Sequence, residues 1–187
     1  MATIEHKDIP NANLHETKGV STATTGAVLT ANAGVGLWQI PSYGELYISG
    51  GAGVITLPAA SAYTRVDTAG TIWTAGVNKD MTLNAATGEF TIITAGTYNV
   101  AMWIVFNTAA LAAGTTYNFR YAIGGVTSTR TISTSKHTAG VDTMDTAASG
   151  LATFAANDVV SLYVGGDGTS SGTNITVVEA GFTLHRV

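Results

Sequence analysis

TGEFTIITAGTYNVAMWIVFN, residues 87–107, opens on a turn, runs through a short strand and a Gly-led corner, and ends in a long strand. From Thr97 onward, Tyr98, Val100, Met102, Ile104 and Phe106 alternate with Asn99, Ala101, Trp103 and Val105. A period of two over eleven residues is a strand signal. Both faces of this strand carry apolar groups, so both must be covered. One face packs inside a sandwich; the other needs a further sheet or a further subunit. The low surface charge favours a subunit, which puts Ala101, Trp103 and Val105 in an interface between copies of the chain.

The same reading extends outward on both sides. Leu46 and Ile48 alternate with Tyr47 and Ser49. Met81–Asn84 is followed by a turn ending on Gly88 and by Glu89–Ile93. Tyr117, Phe119, Tyr121 and Ile123 share one face, and Gly124-Gly125 turns the chain into VTSTRTIST, a hairpin signal. Val159–Val164 follows the turn Ala155–Asp158, and in the last stretch, Ile175–Val187, Val178, Phe182 and Leu184 are expected on one face. The one helix-compatible piece, Thr108–Ala113, is short. Many short strands with Gly-rich turns predict an all-β sandwich or barrel.

Composition narrows the function classes. The 187 residues carry 8 Lys and Arg and 12 Asp and Glu, so 11% are charged, against roughly 25% in an ordinary domain. The net charge of −4 gives no basic stripe for nucleic acid. Fifteen aromatics argue against disorder, and the lack of Cys excludes disulfides and thiolate sites. The opening MATIEHKDIPNANLHETKG has no apolar run of the kind a secretory signal needs. The uncharged stretch between Glu89 and Arg120 is too rich in Thr, Asn and Gly for a membrane helix. No membrane partner is expected.

Charge density changes near residue 20. Five formal charges fall within the first eighteen residues, and then Gly19–Gly44 has none. The latter stretch holds few sizeable apolar groups, so an independent core is not expected there. Residues 1–44 read as an extended N-terminal arm that becomes ordered against a partner, as opposed to a solvated leader. Leu14, Val28, Leu29, Leu37 and Trp38 are its anchors. Residues 45–187 form the folded domain.

Little in the chain resembles catalytic machinery. His15-Glu16 lacks a second His four residues on, where Gly19 stands. Gly168-Thr169-Ser170-Ser171-Gly172 matches the G-x-S-x-G pattern, but no helix is expected to follow it. His137 and His185 are too scattered for a triad. Asp142, Asp145, Asp158 and Asp167 could pair for glycoside hydrolysis or hold Ca²⁺. Turn roles explain Asp158 and Asp167 better, and no aromatic sugar platform is evident beside any of them. No metal and no cofactor is expected.

Two stretches together carry a resemblance. Thr87–Asn107, already quoted, and LATFAANDVVSLYV…EAGFTLHRV (Leu151–Val187) follow one another in an order that resembles the tumour necrosis factor superfamily and the globular heads of complement-type proteins. The resemblance implies a ten-strand, two-sheet antiparallel jelly-roll sandwich assembling as a homotrimer. The arm carries a second one: NLHETKGVSTATTGAVLTANAGVGLWQ (Asn13–Gln39) is similar to leader segments of tailed-bacteriophage virion proteins. The matching residues are His15, Glu16, Lys18, Gly19, Val20, Gly34, Gly36 and Trp38. Of the arm's residues, Leu14, His15, Glu16, Lys18, Gly19, Val20 and Trp38 are the expected capsid-anchoring ones.

Together the resemblances imply a virion protein assembled in the host bacterial cytoplasm. Its arm would dock on the major capsid protein or another virion protein, and its trimeric jelly roll would decorate or brace the outer capsid surface. A tail-fibre or head-fibre knob that binds a host surface glycan or protein is the alternative. A polysaccharide-degrading enzyme is the third class, disfavoured for want of an acid/base constellation.

Overall fold

In the computed structural model the described residues are 27–32, 35–51, 53–67 and 73–187. The chain divides into two compact units, Met1–Pro41 and Ser42–Val187. In the first unit, β1 (Val28–Asn32) and β2 (Val35–Gln39) pair antiparallel, from Val28↔Gln39 to Asn32↔Val35. That stretch of the arm is therefore a β-hairpin. Leu14, His15, Glu16, Lys18, Gly19 and Val20 lie outside the described residues, and so does the Trp38 side chain.

The second unit is all-β. Its strands are β3 (Tyr43–Ile48), β4 (Gly53–Thr56), β5 (Thr64–Arg65), β6 (Thr74–Lys79), β7 (Met81–Asn84), β8 (Glu89–Ile92), β9 (Gly96–Thr108), β10 (Thr116–Ile123), β11 (Val126–Thr127), β12 (Ile132–Ser135), β13 (Thr143–Phe154), β14 (Val159–Gly166) and β15 (Asn174–Arg186). Every pairing is antiparallel. One sheet runs β13-β9-β15-β3-β6, with β4 also on β15; the other runs β11-β10-β14-β8-β7, with β12 on β10 and β5 on β14. From β8 onward the chain crosses repeatedly between the two sheets, which makes a jelly-roll sandwich. The Thr108–Ala113 stretch is not helical: it is a loop held by a bridge between Leu111 and Gly140.

The inner faces meet through aromatic pairs. Phe106 of β9 packs 5.2 Å from Tyr117 and 5.3 Å from Phe119 of β10. Phe90 of β8 stands edge-on to Phe182 of β15 at 5.1 Å. Such edge-to-face contacts add to the area buried between the sheets. The inward row of β9 is the expected one: Tyr98, Val100, Met102, Ile104 and Phe106 are all buried.

Strand β15 departs from expectation at one point. A β-bulge between Val177 and Glu179 inserts Val178 as an unpaired residue. Ile175 and Val177 face the core before the bulge, and Ala180, Phe182 and Leu184 face it after. Val178 therefore does not share the buried face with Phe182 and Leu184. An extra residue resets the alternation.

Candidate assembly surface

The outer face of the six-stranded sheet is built from the residues of β9, β13, β15 and β3 that alternate with the core. Three cross-strand rows follow from the register. Ala147, Trp103, Gly181 and Tyr47 form one; Ser149, Ala101, Thr183 and Glu45 the next; Asp145, Val105 and Glu179 a third. Trp103 is 41% exposed, high for the largest apolar side chain on the sheet, and Leu151, on the same face beside Asn99, is 51% exposed.

Gly181 explains how Trp103 lies. A Cβ built at 181 would overlap the indole Nε1, so the ring folds over the bare backbone of its cross-strand partner. A glycine inside a strand commonly marks such a close approach. The indole thus presents a flat apolar surface between Ala147 and Gly181, both too small to shield it. The Val105 row is different, because Asp145 and Glu179 flank it on either side. Ala101 and Trp103 have uncharged partners on β13 and β15, with Glu45 one strand further out on β3, while Val105 has a carboxylate on either side. The sequence reading placed the three residues on one outward face; it missed Gly181 and Leu151. The signal for Gly181 was the interior glycine itself.

A buried polar cluster closes one end of the sandwich. Lys136 is sealed from solvent, and its Nζ donates to Thr108 Oγ1 (2.6 Å) and the Gly140 carbonyl (2.7 Å). Thr108 Oγ1 also accepts from the Asp142 backbone N–H at 3.1 Å. Tyr117 is buried beside it, and its hydroxyl makes no hydrogen bond among the described residues. Burial raises the Tyr117 phenol above its usual pKa, opposed by the Thr108 hydroxyl and reinforced by Asp167 and Asp142.

The remaining polar residues take structural places. Asp158 Oδ2 accepts the Ala155 N–H at 2.8 Å, with Asn157 at φ 71°, as a turn requires. Asp167 accepts the N–H groups of Thr116 (2.8 Å) and Thr169 (3.0 Å). In the G-x-S-x-G segment Ser170 is fully buried against Gly166, and its carbonyl accepts from Thr173 N at 3.1 Å. The loop of residues 167–173 leads from β14 into β15 without a helix, so this serine is not lifted over one. Among the described residues no three His, Asp or Glu side chains gather to hold a metal ion, and no helix is long and apolar enough to cross a membrane.

Neither a protein-family profile nor any curated protein sequence matches the chain. Among solved structures, the Eiger TNF of S. frugiperda aligns over 78% of this chain and 93% of its own, at 13% identity and a TM-score of 0.48. The globular domain of zebrafish complement 1qA aligns over 78% and 97%, at 9% identity and a TM-score of 0.47. Murine APRIL aligns over 75% and 98%, at 12% identity and a TM-score of 0.42. These are likenesses of overall fold between chains that share few residues.

Proposed function

We propose that this chain is a structural virion protein of a tailed bacteriophage, a homotrimeric decoration or cement protein of the outer capsid surface. In this reading the Ser42–Val187 unit self-associates through the outer face of β13-β9-β15. The arm docks on the major capsid protein or a neighbouring virion protein. The observation that supports self-association is the uncovered Trp103 lying flat on Gly181 between small neighbours. An exposed aromatic whose neighbours on β13 and β15 are uncharged is the composition of an interface centre, and the carboxylates of Glu45, Asp145 and Glu179 suit its rim. The arm reading rests on its own composition and on the leader resemblance at His15–Val20.

The mechanism is mass action. An appendage that binds the assembled shell and not its separated subunits stabilises the shell in proportion to its occupancy. No step of chemistry is needed. Sedimentation of the purified chain tests the first part: at micromolar concentration three copies of 19.1 kDa should travel together, at about 57 kDa. Trp103→Asp should shift that boundary to the monomer, because a carboxylate cannot be buried there unpaired. A wild-type monomer overturns the trimer. Particles stripped of the protein test the second part: they should lose DNA sooner on heating and regain resistance when the free protein is added back.

A further inference from the structure

A polar depression of about 360 Å³ opens on the seven-stranded sheet, lined by Ser61, Tyr63, Asn118, Arg120 and Asp167 among others. Asn118 and Arg120 alternate with the buried Tyr117 and Phe119 along β10, so they stand on the outer face. Tyr63 comes from the segment before β5 and Asp167 from the end of β14. Three distant stretches of sequence therefore converge on one spot, within the volume range of ordinary small-molecule sites.

The groups in it are held in place. Arg120 Cζ lies 4.4 Å from the centroid of the Tyr63 ring, a cation–π distance. Tyr63 in turn rests on β14 at Gly165, where a Cβ would come within 3.0 Å of Tyr63 Cδ1. Arg120 Nε donates to Thr131 Oγ1 at 2.6 Å and Nη1 to the Ser128 carbonyl at 3.2 Å. Its Nη2 makes no hydrogen bond among the described residues. Asn118 Oδ1 accepts from Ser133 Oγ at 2.5 Å, which leaves its amide N–H groups for another partner. Asp167 is fixed by two backbone donors, Thr116 N and Thr169 N, yet each carboxylate oxygen retains a further acceptor site.

Fixed donors and a fixed acceptor thus share one small cleft, and the charges of Arg120 and Asp167 offset each other. A free anion would meet the Asp167 carboxylate, and a cation would meet the Arg120 guanidinium. A group that both accepts and donates satisfies both sides. Adjacent sugar hydroxyls do this: one oxygen accepts from Arg120 Nη2 or the Asn118 amide while its neighbour donates to Asp167. We infer that the Tyr63–Asn118–Arg120–Asp167 cleft binds a neutral saccharide through a pair of adjacent hydroxyls. Asn118, Arg120 and Asp167 contact the sugar, and Tyr63 positions Arg120. This site goes beyond the assembly role and does not rest on it, since all of its residues lie within one protomer.

Saturation-transfer NMR on the full chain tests it, with the methyl glycosides of mannose, galactose and glucose as neutral probes and methyl glucuronide as the anionic one. At least one neutral glycoside should receive saturation from the wild-type protein. Asp167→Asn and Asn118→Asp should each weaken that binding by about tenfold or more, the loss of one charge-assisted or geometry-fixed hydrogen bond. Their melting temperatures show whether the fold is kept. If Asp167→Asn melts early, Asn118→Asp decides, because it keeps the oxygen that Ser133 binds. Absence of transfer to all three neutral glycosides overturns the inference. Binding of the glucuronide alone, or unchanged binding in a folded Asn118→Asp variant, overturns it as well.

Discussion

Lys136 Nζ stands 2.6 Å from Thr108 Oγ1, and both side chains are closed off from solvent. No carboxylate among the described residues comes within ion-pair distance of that amine. Its charge is carried by a hydroxyl and a carbonyl, which binds β9 to the 136–142 loop. Thr108→Val keeps the shape and removes the acceptor. It should cost about 1.5–3 kcal/mol, the worth of a hydrogen bond to a charged group, in urea melts at neutral pH. Adding Lys136→Met should recover part of that loss, since the buried charge then goes too.

Tyr117 gives the fold an alkaline limit. Its phenol has a raised pKa in the folded state, so the fold favours the neutral form. The stability this contributes is complete below the unfolded value of 10.0 and is lost as pH rises through the higher folded value. Wild-type protein should therefore lose stability above about pH 10 faster than Tyr117→Phe does. At pH 7 Tyr117→Phe should melt no earlier than the wild type, because it removes a buried hydroxyl that makes no hydrogen bond among the described residues. Melting curves of both proteins between pH 7 and 11 check this.

Gly181→Ala separates assembly from folding. A methyl group there would strike the Trp103 indole, and the indole can swing into solvent. The variant should keep its far-UV spectrum and lose self-association by about tenfold or more in sedimentation equilibrium, equal to ~1.4 kcal/mol. Unchanged association would place the contact elsewhere.

Removal of residues 1–40 should leave the Ser42–Val187 unit folded, because that unit has a hydrophobic core of its own. The truncated protein should still self-associate, yet fail to cosediment with stripped particles that bind the full chain. Failure of the truncated chain to fold, read by circular dichroism, would make the arm part of the fold.

Long strands with large alternating residues were plain in the sequence. Thr97–Asn107 announced β9 because burial on the inner face demanded five large side chains in strict alternation. Strand β13 was legible only in its last four residues. Its first eight, TMDTAASG, line the edge of the sheet, where only Met144 is buried and small polar residues suffice. The face of Val178 was misassigned because a bulge leaves no mark in residue type. The saccharide cleft was hidden for another reason. Tyr63, Arg120 and Asp167 look like unrelated surface residues until β5, β10 and β14 lie side by side. Asp167 alone read as a turn, and its aromatic neighbour is more than a hundred positions away.

Strand β15 lies between β9 and β3 at the centre of its sheet, although it is the last strand in chain order. Until residues 174–186 have left the ribosome, β9 and β3 have no edge to pair across, and the core lacks Phe182 and Leu184. The six-stranded sheet therefore cannot close before residues 174–186 emerge, however early β7 and β8 form their local hairpin. A nascent chain stalled before residue 174 would expose two unpaired strand edges, a risk of aggregation. Emergence of β15 is thus the event that joins the β13-β9 and β3-β6 halves into one sheet.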